Sequence, residues 1–125
     1  MSIQSKPTDD NSSNSEATSD APKLSFSTIE SDIQSGAKLL DVRTAEEFAA
    51  GHFAGATNWP LQNLMDGKLP NVPKDTKIYV HCRTGVRSAQ AAQILTNNGF
   101  TNVVDLHGLT DIENIGGELI TSADA

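Results

Sequence analysis

The sequence is short of thiols, of positive charge and of long apolar runs. A single cysteine, Cys82, in 125 residues excludes an intrachain disulfide framework and any zinc site built from several thiolates. No stretch approaches the roughly 18 apolar residues of a membrane span, so no membrane partner is expected. Nine Lys and Arg stand against sixteen Asp and Glu, a net charge of −7. That balance argues against nucleic acid or an anionic lipid surface as the main partner, although it leaves room for a locally positive cleft. The three histidines, His52, His81 and His107, are widely separated and lack a paired spacing. No metal site and no cofactor are therefore expected.

What is present is enough chain for one domain with a real core. Residues 1–22 carry only Met1, Ile3, Ala17 and Ala21 as hydrophobic side chains, in a run of Ser, Asp, Asn, Thr and Pro. Such a segment cannot offset its ordering entropy by burial, so a disordered polar tail is expected there, with a single domain over 23–125. It lacks the basic start and apolar centre of a secretory signal. A cytoplasmic location is expected, with a periplasmic protein whose signal has been removed as the alternative.

From Lys23 onward strand and helix signals alternate. Leu24-Ser25-Phe26 reads as a short strand, and Ser27-Thr28-Ile29-Glu30 as a capping box opening a helix that Gly36 stops. Lys38 to Val42 reads as a buried strand. Thr44-Ala45-Glu46-Glu47 is a second capping box, for a helix through Ala50. Ala56-Thr57-Asn58 predicts a brief strand, and Gln62–Met65 a helical turn. Lys77 to His81 is the clearest strand, rich in β-branched and aromatic residues. Ser88 to Asn98 predicts a helix, Asn102 to Asp105 a last strand, and Leu109 to Ile115 a last helix. This alternation favours an α/β domain with a parallel sheet covered on both faces.

The segment His81-Cys82-Arg83-Thr84-Gly85-Val86-Arg87-Ser88 joins the strongest strand to the strongest helix. It falls at the carboxyl end of a strand, where open α/β sheets place their ligands. A tight loop entering a helix aims backbone N–H groups and the positive end of the helix dipole inward. Gly85 permits backbone closed to other residues, and Arg83 and Arg87 add permanent cations. All of this favours thiolate over thiol, so Cys82 is expected to be nucleophilic. The same cradle suits a substrate oxyanion or a modified sulfur. The competing reading, a cysteine serving as a small core hydrophobe, is the usual fate of a free thiol. The two arginines and the strand–loop–helix setting weigh against it.

Two motifs carry a family resemblance. Asp41-Val42-Arg43-Thr44-Ala45-Glu46-Glu47-Phe48, followed by Gly51-His52-Phe53-Ala54-Gly55-Ala56-Thr57-Asn58-Trp59-Pro60, resembles the upstream rhodanese signature. Cys82-Arg83-Thr84-Gly85-Val86-Arg87-Ser88 resembles the active loop of small single-domain thiosulfate sulfurtransferases. The resemblance covers about 24–112 and implies a five-stranded, mainly parallel sheet flanked by helices. It also implies a persulfide mechanism. Cys82 would take the outer sulfur of thiosulfate or a similar donor and pass it to cyanide or a thiol acceptor. Arg87, and with it Arg83, would bind the oxyanion, and the amides of Arg83, Thr84, Gly85, Val86 and Arg87 would hold the persulfide. Asp41 would be a structural residue near the loop, and Arg43 would pair with an acid such as Glu47. A monomer is expected.

Loop length separates this resemblance from the related cysteine phosphatases, whose loop holds one residue more than the four between Cys82 and Arg87. The sequence departs from the family where Leu106-His107-Gly108-Leu109 replaces a Gly-Gly pair and a following tryptophan is missing. Phe53 also stands where isoleucine is usual. Rim shape and acceptor preference are the properties these departures touch. Other candidates have simpler readings. His52 is expected to pack and hydrogen-bond locally. His81 is expected to point away from Cys82, since neighbouring strand residues face opposite ways. Glu46 and Glu47 read as helix N-terminal charge rather than a glycosidase pair, and Trp59 as half-buried packing. Three functions compete: a sulfurtransferase enzyme, a persulfide carrier serving a partner, and a regulatory anion-binding domain. The last commonly lacks the cysteine found here.

Overall fold

The computed structural model describes residues 24–121, so the expected polar tail over 1–22 lies outside the described residues. The strand Ile78–His81 is buried at all four positions, which requires packed layers on both of its faces. It is β4 in chain order. The elements are α1 (Phe26–Gln34), β1 (Lys38–Asp41), α2 (Ala45–Ala50), β2 (Gly51–Phe53), β3 (Ala56–Asn58), α3 (Leu61–Met65), β4, α4 (Val86–Asn97), β5 (Val103–Asp105), α5 (Leu109–Asn114) and β6 (Leu119–Thr121).

Four strands form one parallel sheet in the order β3-β1-β4-β5. Asp41 registers with Asn58 on one side and His81 on the other, so the carboxyl ends of three strands stand level. The sheet separates two apolar clusters by the period-2 alternation of its strands. On one face Leu40, Val80 and Cys82 pack with Leu64, Ala91, Leu95 and Phe100 beneath α3 and α4. On the other, Leu39 and Tyr79 pack with Phe26, Ile29, Phe53 and Ile112 beneath α1 and α5. Among the described residues, no helix is long and apolar enough to cross a membrane.

The α/β class and the mainly parallel sheet stand as expected, but the main sheet has four strands rather than five. A further antiparallel pair, β2 with β6, sits apart from it and joins Gly51–Phe53 to Leu119–Thr121. Neither segment has the length or β-branched run that marks a strand in sequence. At the start, Leu24-Ser25-Phe26 is not a strand. Ser25 caps α1 by accepting the Thr28 N–H at 3.2 Å, and Phe26 is already helical. The Phe26 N–H goes to Ile115 O at 2.8 Å, and its ring meets Phe53 at 5.8 Å. These long-range contacts pull the helix start two residues ahead of the Ser27–Glu30 pattern. The Thr44–Glu47 capping box forms as expected.

Candidate active site

The loop after β4 is built by close backbone approach. Cys82 N–H donates to His107 O at 2.9 Å, and Leu109 N–H donates to Arg83 O at 3.1 Å. Thr84 bridges Gly108. A Cβ on Gly108 would lie 2.6 Å from Arg83 O, so only glycine lets the two segments meet. Gly85 turns the chain at φ +102° and serves as N-cap of α4, which starts at Val86, two residues before the sequence suggested. This is a left-handed conformation that glycine adopts without a Cβ penalty.

The turn places Cys82 Sγ beneath the first amides of α4. Gly85 N–H donates to the sulfur at 2.9 Å. Cys82 is 1% exposed, and burial alone would push its thiol up. The Ser88 hydroxyl and the amides of Ser88, Gly85 and Thr84 more than offset this, so the group lies below an ordinary thiol. Ser88 is itself buried. Its hydroxyl lies 3.1 Å from Gly85 O and 3.4 Å from His107 O, giving its one proton acceptors in the loop besides the sulfur. In the sequence Ser88 closes the loop motif and opens the helix, with no role toward the sulfur assigned to it. Its place in the first turn of α4, six residues past Cys82, was the available signal.

Arg83 and Thr84 are exposed on the rim, as is Val86. Arg87 is not free. Its guanidinium grips Glu47 with two hydrogen bonds, Nη1 to Oε1 at 2.7 Å and Nη2 to Oε2 at 3.1 Å. Those bonds hold Glu47 down at about 2, against the desolvation that works the other way. Arg87 is raised chiefly by the same contact, and it also feels the charge of Cys82. Arg43 does pair with an acid as expected, but the acid is Asp41 and not the Glu47 offered as the example, which Arg87 holds. Arg43 turns inward to Asp41, with Nε at 2.9 Å from Oδ1 and Nη2 at 2.6 Å from Oδ2, and its Nη2 also reaches Gly51 O at 2.6 Å. Both partners are buried, so the pair satisfies two charges that could not be left alone there.

His81 points to the opposite face from Cys82, edge-on to Phe53 at 5.3 Å. Its Nδ1 lies 3.1 Å from Cys82 O, an arrangement that fits an N–H donor there. Its Nε2 stands 3.6 Å from Asp41 and has no hydrogen-bond partner. Burial, outweighing nearby Asp41, lowers its basicity and keeps the ring neutral. His52 stacks on Phe48 at 4.1 Å and places Nδ1 3.1 Å from Phe48 O. Trp59 packs on the first cluster and donates to Lys68 O. Among the described residues no group of three or more His, Cys, Asp or Glu could hold a metal ion.

Residues 25–110 match the family model for the rhodanese-like domain. The chain belongs to the rhodanese-like domain family. Curated relatives include the uncharacterized protein YqhL of Bacillus subtilis, 43% identical over 58% of this chain and 56% of that protein. The chain thus spans just over half of that relative's length. Thiosulfate sulfurtransferase PspE of Escherichia coli is 38% identical over 58% of this chain and 71% of that one. Among solved structures, the human single-domain sulfurtransferase TSTD1 superposes with a TM-score of 0.56 at 29% identity, covering 69% of this chain and 88% of that one. In this rhodanese domain the cysteine loop, the capped α2 and the buried Asp41–Arg43 pair meet at one end of the parallel sheet.

Proposed function

We propose that this rhodanese domain is a sulfurtransferase that moves sulfane sulfur from thiosulfate to cyanide or a thiol acceptor through a persulfide on Cys82. The observation that carries the reading is the Gly85 N–H aimed at Cys82 Sγ from 2.9 Å, at the head of α4. An N–H aimed at the sulfur in that way favours thiolate over thiol, and the amides that do so suit the terminal sulfur of a persulfide equally well. The name of the Escherichia coli relative, a thiosulfate sulfurtransferase, supports the choice of donor.

In the first half-reaction the Cys82 thiolate attacks the outer sulfur of thiosulfate. The bond between the two thiosulfate sulfurs breaks, and sulfite leaves with the electron pair. Arg83, and Arg87 beside it, hold the oxyanion end as the charge shifts onto sulfite. In the second half-reaction cyanide or a thiolate attacks the outer sulfur of the persulfide, and Cys82 departs as the thiolate. No other thiol exists in the chain, so the persulfide cannot resolve internally to a disulfide and must discharge to an external acceptor.

A persulfide carrier for a partner protein is the second reading, favoured by one feature: Glu47 already occupies Arg87, which leaves less charge for a small anion. Steady-state thiosulfate:cyanide turnover separates the two. The enzyme reading predicts measurable thiocyanate release by the native chain and none by Cys82→Ser. Native turnover retained in Cys82→Ser contradicts both readings, whereas a native chain that takes up sulfur but releases no thiocyanate selects the carrier.

A further inference from the structure

The loop carries two arginines, but their electrostatic situations differ. Arg83 is exposed and has no ion-pair partner among the described residues. Arg87 reaches from the first turn of α4 back to α2, where Glu47 engages both terminal nitrogens. Glu47 is itself fixed by its capping box, receiving the Thr44 N–H at 3.1 Å and the Thr44 hydroxyl at 3.2 Å. Its carboxylate stays ionised through the neutral range. The side chains of the pair are 32% and 23% exposed, so an anion arriving at the loop meets both charges together. One N–H on each terminal nitrogen of Arg87, and that on Nε, is left for another acceptor.

We propose that Glu47 is a specificity-determining residue that competes with the donor's oxyanion for Arg87, and so weakens doubly charged anions at the sulfur loop. The inference rests on Cys82 as the sulfur-accepting centre, and it adds the charge class of donor the site selects. A dianion such as thiosulfate gains from Arg83 but meets a neutralised Arg87 with a carboxylate at its side. Sulfite meets the same repulsion and departs more easily. A sulfane donor with one charge or none loses less.

Glu47→Gln tests the idea, because glutamine keeps the length and the carbonyl acceptor while removing the charge. If Glu47 merely held Arg87 in place, the variant would raise KM for every donor. Competition predicts the opposite sign: KM for thiosulfate falls about fivefold, the scale of one partly exposed ion pair. The gain should shrink with added salt. Methanethiosulfonate, a singly charged sulfane donor, should improve less. An unchanged or raised thiosulfate KM in Glu47→Gln overturns the proposal.

Calorimetric titration with sulfate, an unreactive dianion, reads the same effect without chemistry. Tighter sulfate binding by Glu47→Gln, with no sulfur taken from thiosulfate by the native chain, would sink the sulfurtransferase reading and leave the charge role standing. Should the glutamine variant fail to fold, Arg83→Ala on the exposed rim serves instead. With Arg87 neutralised it should weaken sulfate about tenfold, the loss of a charge-assisted contact. Unaltered sulfate affinity in Arg83→Ala would contradict the proposal.

Discussion

Ser88 is a buried hydroxyl beside the Cys82 thiol, shared between that sulfur and the carbonyls of Gly85 and His107. Cys82 is buried, which by itself favours the neutral form, and Ser88 heads the groups that reverse the balance. Ser88→Ala removes that donor while leaving the backbone amides of residue 88, Gly85 and Thr84. The thiolate should then form at higher pH, with slower persulfide formation near neutrality and recovery in more alkaline buffer. Ultraviolet absorbance of the thiolate against pH measures the first effect, and single-turnover sulfur uptake the second. An unshifted titration would mean that the amides suffice alone. Cys82 and its loop were legible in the sequence because nucleophile, glycine and arginines are contiguous. The partners of the arginines were not, because pairing between Arg87 and Glu47 spans 40 residues and depends on how α2 meets α4. Arg43 looked equally available to Glu47 until its burial beside Asp41 was known.

At the scale of elements, the site depends on two crossings of backbone. One is the left-handed turn at Gly85, and the other is the approach of Gly108 to the loop. A methyl group at Gly108 would press on Arg83 O and on Thr84 Cα, both main-chain atoms. Gly108→Ala should therefore cost about 1–3 kcal/mol, the range for overpacking, and should slow sulfur uptake as the loop shifts. Chemical denaturation measures the first, and a stability equal to the native chain's would refute the close packing. His107 just before it holds φ +70°, where the family resemblance led one to expect glycine. The helix caps show what sequence can and cannot reveal. Thr44 and Glu47 cap α2 as their spacing predicts, since a capping box is local. Ser25 displaced Ser27 at α1 because Phe26 is held by Ile115 and Phe53, contacts made late in the chain. The β2–β6 pair was invisible for the same reason: each strand has three residues, and Gly51 registers with Thr121.

For the molecule as a whole, acid should act in two stages. Buried His81 takes up its proton less readily in the folded chain than when unfolded, where 6.5 is ordinary. The unfolded state therefore binds more protons first, and stability falls as pH drops below that value. Glu47 behaves as a depressed carboxylate: its contribution is complete above 4.5 and is lost as pH falls through about 2. Denaturant melts from about pH 7 to about pH 5 should show the first stage. His81→Gln should flatten that slope, whereas an unchanged slope would remove His81 as its source. The same frame that keeps His81 neutral on one face of the sheet sets the Cys82 loop directly after it, at the same carboxyl end of β4 but turned to the other face. A chain of net charge −7 thereby carries a loop whose cysteine lies below an ordinary thiol and whose rim holds, among the described residues, one arginine without an ion-pair partner. The account rests on Cys82 accepting sulfur, and intact mass after thiosulfate treatment tests that most directly. It predicts a gain of one sulfur atom by the native chain, lost again on adding cyanide, and no gain by Cys82→Ser. A native chain left at its original mass, or a serine variant that gains sulfur equally, would contradict it.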